Sequence, residues 1–125
     1  MAGLRRVALV GALITAGITL SSCGTGAGVS DARVACRYVA KALTLQHEST
    51  QPGVSPARRA ALQKQALTEI LLAQPSAAQA TSADGSWNPL QTTIEEANRV
   101  PLQFEAPALT RLCQVANSST PYVGA

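Results

Sequence analysis

Apolar side chains between residues 31 and 116 recur mostly every three or four positions, which is the spacing of one face of an α-helix. The first such stretch predicts a helix from Asp31 to about Gln46. Ser30 or Asp31 is expected to accept hydrogen bonds from the free N–H groups of its first turn. The apolar face of this helix consists of Ala32, Cys36, Val39, Ala40 and Leu43.

A second helix is predicted to begin at Ser55-Pro56, where a hydroxyl caps the first turn and proline occupies the first helical position. We expect Pro75 to stop or kink this helix, because proline lacks the N–H and its ring clashes with the preceding turn. Its apolar arc consists of Leu62, Ala66, Leu67, Ile70, Leu71 and Ala73, and residues 82–85 are predicted to form a loop.

Two shorter helices are predicted in the remainder of the chain. Ser86 is expected to cap the third helix, which ends at Pro101, and the fourth helix is expected to start around Pro107. Phe104 lies between them and is predicted to fill the space between helices. The apolar faces consist of Trp87, Leu90, Ile94 and Ala97 in the third helix and of Leu109, Leu112, Cys113 and Ala116 in the fourth.

The same stretch of chain shows no sustained alternation of β-branched and polar residues with a period of two, so we expect no β-strands. The predicted fold class is therefore all-α, a small antiparallel bundle of about four helices.

The first residues have a different composition. Arg5 and Arg6 precede an uncharged run at residues 7–20, VALVGALITAGITL. A bilayer core requires about 20 apolar residues, so this run is shorter than a membrane helix. It is typical of the apolar region of a secretory signal peptide. The paired arginines also fit a twin-arginine export signal, so the export route stays open.

The apolar run ends in Leu20-Ser21-Ser22-Cys23, an aliphatic residue and two small ones before a cysteine. This motif resembles the lipobox of bacterial lipoproteins. The resemblance implies that signal peptidase recognises Leu20, Ser21 and Ser22, that cleavage precedes Cys23, and that Cys23 carries a diacylglyceryl group. Two acyl chains, at about 0.8 kcal/mol per buried CH₂, hold a protein stably at a membrane. The alternative is an ordinary signal peptide cut nearby, which would leave Cys23 as a free thiol.

These features predict a protein of the cell membrane that is lipid-anchored on the extracytoplasmic face. The predicted segments are a signal peptide at 1–22, a lipidated cysteine with a flexible tether at 23–30, a helical domain at 31–116 and a mobile tail at 117–125. Removal of Arg5 and Arg6 reduces the basic residues from 10 to 8 against 7 acidic ones, a net charge of 8 − 7 = +1. We therefore expect no nucleic-acid partner, since such binding requires a dense basic surface.

Cys36 and Cys113 are the remaining cysteines once Cys23 is assigned to lipid. In an oxidising exported setting they are predicted to form a disulfide between the first and last helices. Two separate buried thiols are the alternative. With this pattern and its many alanines, the mature chain resembles the small disulfide-stapled helical domains in exported proteins of high-GC Gram-positive bacteria, a resemblance that implies no particular activity.

Candidate chemical groups are few. His47 is the only histidine and is predicted to lie exposed in a loop, where the adjacent Glu48 and Ser49 cannot converge with it on one reacting atom. A single histidine cannot complete a zinc site when the cysteines are committed elsewhere. Glu95 and Glu96 are neighbours on a helix and point in different directions. We therefore expect no catalytic residue, no metal, no cofactor and no enzymatic activity.

Arg33, Arg37 and Lys41 are spaced at i, i+4 and i+8 and form a basic stripe on the first helix, beginning 33 − 23 = 10 residues after Cys23. Each basic side chain near an anionic leaflet contributes about 1 kcal/mol of binding. This stripe either faces phospholipid head groups or is a solvated helix face.

Two functions fit these features. The first is an interaction module that binds another envelope protein through a helical face, which requires an exposed apolar patch. The alternative is a carrier that holds a lipid or other hydrophobic ligand between its helices, which requires a cavity of about 300 Å³ or more. The many alanines imply closely packed helices and favour the interaction module.

Overall fold

The computed structural model of the chain describes residues 26–121. This part contains four α-helices and one 3₁₀ helix and has no β-strand. The α-helices are α1 (Val29–Ser49), α2 (Pro56–Ala83), α3 (Asn88–Glu96) and α4 (Leu102–Asn117), and the 3₁₀ helix (Gly85–Trp87) precedes α3. The predicted all-α antiparallel bundle, with a disulfide joining the first and last helices, is confirmed.

Helices α1 and α2 form an antiparallel hairpin that packs largely through alanine. On α1 the fully buried residues include Ala32, Ala35 and Ala42. The buried residues of α2 in the same core are Ala66, Ile70, Ala73, Ala77 and Ala80. Small side chains at a contact reduce the distance between helix axes. Ala40 was predicted on the apolar face of α1 but is exposed, because Ala35 and Ala42 place the centre of that face further round the helix.

Helix α1 begins earlier than predicted, at Val29 instead of Asp31. Its N-cap is Gly28, which has a left-handed φ of 76° and provides no side-chain cap, so neither Ser30 nor Asp31 caps the helix. Residues 26–28 form a turn, and the indole Nε1 of Trp87 donates a hydrogen bond to the carbonyl of Ala27 at 3.2 Å. Residues 29 and 30, which the sequence assigned to the tether, therefore lie in α1, and the flexibility of the tether stays a prediction.

Pro75 neither stops nor interrupts α2, which continues to Ala83 through residues predicted to form a loop. Proline removes the hydrogen bond from its own nitrogen to the carbonyl of Leu71. Both residues lie on the exposed side of the helix, where water can satisfy that carbonyl. The packing of Ala73 and Ala77 against α1 stabilises the helix on either side of the proline. At the start of α2 the predicted cap is confirmed, since Ser55 Oγ accepts from Arg58 N at 3.1 Å.

The segment before α3 is capped by Asp84 and not by Ser86 as predicted. The Asp84 carboxylate accepts a hydrogen bond from the backbone N–H of Ser86 at 2.9 Å, which starts the 3₁₀ helix. The predicted apolar face of the third helix is confirmed, because the side chains of Trp87, Leu90 and Ile94 are fully buried.

Helix α4 begins at Leu102, directly after Pro101, and Pro107 lies within it. Because Pro107 lacks an N–H, the carbonyl of Gln103 in the first turn of α4 has no intrahelical donor, and no other backbone hydrogen bond is lost. The earlier start places Phe104 on the helix surface with 66% of its area exposed. The prediction that Phe104 fills the space between helices is therefore wrong.

Besides apolar packing, a disulfide and the side chain of one arginine hold α4 against α1. The disulfide joins Cys36 and Cys113 with a Cα–Cα distance of 5.5 Å. The guanidinium of Arg33 donates from Nε to the carbonyl of Ala116 at 2.8 Å and from Nη2 to that of Ser118 at 3.1 Å. The last carbonyls of α4 have no intrahelical partners, so Arg33 satisfies groups that would otherwise depend on water.

Candidate functional site

One concavity lies where α1, α2 and the α3–α4 connection meet. It has a volume of about 210 Å³ and is lined by Gln46, Gln63, Leu67, Ile70, Ala97, Val100, Pro101, Leu102 and Gln103. We call it the glutamine pocket. The late residues of α1 provide one wall, the first half of α2 another, and the α3–α4 connection the third.

The reversal between α3 and α4 builds the third wall. The backbone N–H groups of Arg99 and Val100 donate to the carbonyl of Glu96 at 2.8 and 2.9 Å, which closes a tight turn. Pro101 follows with φ −53° and ψ 131°, an extended conformation that directs the chain into α4. On the outside of the turn Arg99 Nη2 donates to Glu96 Oε1 at 2.8 Å. An exposed pair of this kind contributes well under about 1 kcal/mol, so the backbone turn sets the geometry of the wall.

The polar groups of the pocket come from three glutamines on three different helices. Gln63 and Gln103 are exposed and Gln46 is half-buried, so all three lie at the rim. None of their side-chain amides forms a hydrogen bond with another described residue, and no lining residue carries a charge. Each amide offers two donors and an acceptor. The sequence contained no motif that marked these residues, because only the folded chain brings them together.

Exposed apolar side chains lie on α2 and α4, the helices that carry Leu67 and Gln103 of this pocket. Leu67 lines it and is 38% exposed, and Leu71 lies one turn further along the same face of α2 with 44% exposed. Phe104 directly follows Gln103. Leu72 is also exposed, but it lies about 100° around α2 from Leu71. Leu67 and Leu71 are therefore the two exposed leucines that share one face of α2, and a contiguous apolar patch is typical of a site that contacts another molecule.

Two shallower grooves flank α1. One lies over the disulfide between α1 and α4, has a volume of about 400 Å³, and is lined by Cys36, Val39, Ala40, Leu43, Thr110, Cys113, Gln114 and Asn117. The other, of about 420 Å³, lies between α1 and α2 and is lined by Ala40, Lys41, Thr44, Leu45 and Glu69. In the second groove Glu69 Oε2 is buried and has no hydrogen-bond partner among the described residues. Both grooves are open along their length.

The residues of the basic stripe are all exposed on α1. Arg33 binds the end of α4, as described above, and Lys41 Nζ lies 5.8 Å from the centre of the Tyr38 ring. Arg33 therefore has less freedom than the other two to meet a lipid head group. Contact of Arg37 and Lys41 with phospholipid stays a prediction.

The titratable residues considered for catalysis do not converge. His47 lies in the last turn of α1 instead of in a loop, and its Nε2 is 3.0 Å from the side-chain amide of Gln51. Glu95 accepts a hydrogen bond from Gln91 Nε2 at 2.8 Å, while Glu96 binds Arg99. Between residues 26 and 121 no three His, Cys, Asp or Glu side chains are grouped so that they could hold a metal ion.

The signal and lipidation residues Leu20, Ser21, Ser22 and Cys23 lie outside the described residues, as do residues 122–125 of the predicted tail. None of the helices described is both long and apolar enough to span a bilayer. The glutamine pocket lies at the far end of α1 from Gly26, because Gln46 follows Val29 by 46 − 29 = 17 residues, or about 26 Å along the helix axis.

No protein-family model, curated protein or solved structure matches this chain. The proposals below rest on its own residues and geometry.

Proposed function

We propose that the chain is an exported lipoprotein, anchored through Cys23 on the extracytoplasmic face of the cell membrane, that acts as a non-enzymatic interaction module of the cell envelope. The Leu20-Ser21-Ser22-Cys23 motif after a short apolar run supports the anchor. Two acyl chains on one cysteine hold a protein stably without a membrane-spanning helix.

The observation that carries the interaction role is the exposed apolar pair of Leu67 and Leu71, one turn apart on α2, with Leu67 lining the glutamine pocket. The anchor would lie only 26 − 23 = 3 residues before Gly26, at the opposite end of α1. With α1 pointing away from the bilayer, this surface stands about 26 Å or more from the membrane-proximal end. It is then accessible to a partner in the envelope.

The absence of enzymatic activity is part of the proposal. His47, Glu95 and Glu96 each have a local hydrogen-bond or salt-bridge partner, and His47 lies on α1 whereas both glutamates lie on α3. Catalysis by acid–base or nucleophilic groups requires them to lie within hydrogen-bond reach of each other or of one substrate atom.

The anchor is tested by intact-mass analysis of protein recovered from the membranes of its host. We expect a chain that begins at Cys23 and carries the mass of at least one diacylglyceryl group. An unmodified thiol at Cys23 or a retained residue 1–22 segment would overturn the anchor.

The interaction role is tested by affinity purification of the membrane-bound protein after chemical cross-linking. We expect a co-purifying envelope protein to be lost from the Leu67→Ser/Leu71→Ser variant. The Leu72→Ser variant is the control, since it removes a leucine that is 50% exposed on another side of α2. Equal recovery of the envelope protein with both variants would contradict binding through this surface.

A second function, a carrier of a lipid or other hydrophobic ligand, is favoured by one observation. The groove over the disulfide has a volume of about 400 Å³, which exceeds the roughly 300 Å³ typical of the smallest ligand sites. Mass spectrometry of protein purified without denaturation would reveal a bound lipid, and a ligand-free mass would argue against the carrier.

A further inference from the structure

We propose that the groove over the disulfide is a site of thiol–disulfide exchange, at which a cysteine of another polypeptide attacks Sγ of Cys113 and releases Cys36. This inference goes beyond the proposed function, because it does not depend on which envelope protein the domain binds. It names the bond that reacts, the sulfur that is attacked and the chemical class of the partner.

Burial distinguishes the two sulfur-bearing residues. Both cysteines line the groove, but Cys36 is only 3% exposed whereas Cys113 is half-buried. On α1 the residue before Cys36 is the fully buried Ala35, and on α4 the residue after Cys113 is the exposed Gln114. The rate of exchange depends on which sulfur an incoming thiolate can reach. Cys113 is therefore the sulfur that is attacked.

The groove has more room than a thiol group needs. Its volume of about 400 Å³ exceeds the roughly 300 Å³ at which sites begin to hold a drug-sized ligand. Val39 and Leu43 line it from α1, Thr110 and Gln114 line it from α4, and none of its eight lining residues is charged. An uncharged chain segment can therefore lie in the groove with its thiol at the disulfide. This favours a cysteine of a polypeptide over a small free thiol.

The exchange balances with thiols alone. The thiolate of the partner forms a bond to Sγ of Cys113, the bond between Cys36 and Cys113 breaks, and its electron pair leaves with Cys36, which takes a proton from water. A second thiol of the partner can then attack the partner sulfur of this mixed disulfide and release Cys113 as a thiol. The same steps in reverse close the bond.

The charge around the bond favours release of Cys36. Arg33 precedes Cys36 by three residues on α1, and its Nε donates to the carbonyl of Ala116 at 2.8 Å, so the guanidinium bridges the same two helices as the disulfide. A neighbouring cation stabilises a thiolate. Cys113 lies 117 − 113 = 4 residues before the end of α4, where free carbonyls carry partial negative charge and disfavour a thiolate.

Peptide mapping of the protein extracted from its membranes tests which sulfur is attacked. The probe is acetyl-Leu-Cys-Val-amide, and the reaction is stopped with acid before free thiols are alkylated. Trypsin separates the two cysteines, because Cys36 falls in residues 34–37 and Cys113 in residues 112–125. We expect roughly tenfold more probe on Cys113 than on Cys36, with Cys36 alkylated. Probe mainly on Cys36, or equally on both, would overturn the proposal.

A smaller probe with the same thiol tests the role of the groove. Acetyl-Gly-Cys-Gly-amide has no apolar side chain to bury, so we expect it to react roughly tenfold more slowly. Thr110→Trp places a large side chain in the groove wall and should abolish this difference, whereas Thr92→Trp, at an exposed position of α3, should preserve it. Equal rates of the two probes with the wild-type protein would overturn the groove as a polypeptide site.

Arg33→Gln and Arg37→Gln test the contribution of charge. Both residues are exposed arginines of α1, and Arg33 is the one that is hydrogen-bonded to α4. We expect Arg33→Gln to slow the reaction of the Leu-Cys-Val probe roughly fivefold and Arg37→Gln to leave it nearly unchanged. A loosened α4 would expose the bond and speed the reaction, so slowing cannot result from lost stability. An unchanged or faster reaction of Arg33→Gln would overturn the release of Cys36 beside this arginine.

Discussion

Gly28 shows how strongly one position depends on the absence of a side chain. Gly28 lies in the left-handed turn before α1 and packs against the end of α2. A Cβ at this position would lie 2.5 Å from the carbonyl oxygen of Ala80. That distance is much shorter than an ordinary van der Waals contact, and a left-handed φ also disfavours any residue with a Cβ. The backbone strain and the steric clash would therefore both act where the start of α1 meets the end of α2.

We expect Gly28→Ala to destabilise the protein by roughly 2 kcal/mol or more, from left-handed strain together with displacement of the α2 backbone. Urea unfolding followed by circular dichroism measures the change. Gly85→Ala is the control, because Gly85 has open space around it and no left-handed φ. A loss of stability as large for Gly85→Ala would contradict this account.

Trp87 and Phe104 show that the type of a residue does not determine its burial. Trp87 is 1% exposed and donates its indole N–H to Ala27, whereas Phe104 is 66% exposed. Both are large aromatic residues beside a proline-containing helix start. Their difference arises from the helix boundary, since α4 starts at Leu102 and turns Phe104 outward.

At the scale of the elements, α2 continues through a proline at which its sequence predicts a break. The helix has 28 residues and is continuous through Pro75. The lost hydrogen bond lies on the solvent side, and tertiary packing on the alanine face outweighs the local penalty.

We expect Pro75→Ala to stabilise the protein by about 2 kcal/mol. An interior proline costs about 3 kcal/mol relative to alanine, and part of this is offset because proline also restricts the unfolded chain. Thermal unfolding measures the shift, with Gln79→Ala on the same helix as a control that should change stability by less than about 0.5 kcal/mol. A destabilised Pro75→Ala protein would indicate that the proline has a structural role of its own.

The disulfide ties two elements that are distant in the chain. It closes a loop of 77 residues between α1 and α4. The other direct links between these helices are apolar packing and the hydrogen bond from Arg33 to Ala116.

We expect the Cys36→Ala/Cys113→Ala variant to lose up to about 4 kcal/mol of unfolding free energy, because the unfolded chain gains conformational freedom. The same loss should follow when a reductant is added to the wild-type protein. Reductant should have no effect on the double variant. Unchanged denaturation midpoints in all these cases would show that the bond adds nothing to stability.

At the scale of the whole molecule, we expect the net charge to be too small to hold the domain on a membrane without lipid. The chain without Arg5 and Arg6 has a net charge of 8 − 7 = +1. Arg37 and Lys41 together would provide about 2 kcal/mol next to an anionic leaflet. That is enough to bias the orientation of a tethered domain, but it corresponds to only about a thirtyfold preference for an untethered one.

We therefore expect the non-lipidated protein lacking residues 1–25 to remain unbound in flotation with vesicles that contain anionic phospholipid at physiological salt. The Arg37→Glu/Lys41→Glu variant should behave identically. Flotation of the wild-type domain that depends on anionic lipid and is lost in the variant would show that the basic stripe binds membranes by itself.

The sequence by itself determined the class of fold, most of the apolar face of each helix and the pairing of Cys36 with Cys113, because helical periodicity is a local property and cysteines can be counted. Three residues predicted on those faces, Ala40, Leu67 and Leu71, are exposed. It also determined the cap at Ser55-Pro56, which involves neighbouring residues only. Short-range physical chemistry decides the helices and the cap, whereas the disulfide follows from the number of cysteines available to pair.

Only the tertiary structure decided the boundaries around Gly28, the continuity of α2 through Pro75, the early start of α4 and the exposure of Phe104. It also decided the assembly of Gln46, Gln63 and Gln103 around one pocket. In each case the outcome depends on packing between residues far apart in the chain, whose free energy exceeds the local preferences of proline, glycine or glutamine and leaves no trace in the neighbouring sequence.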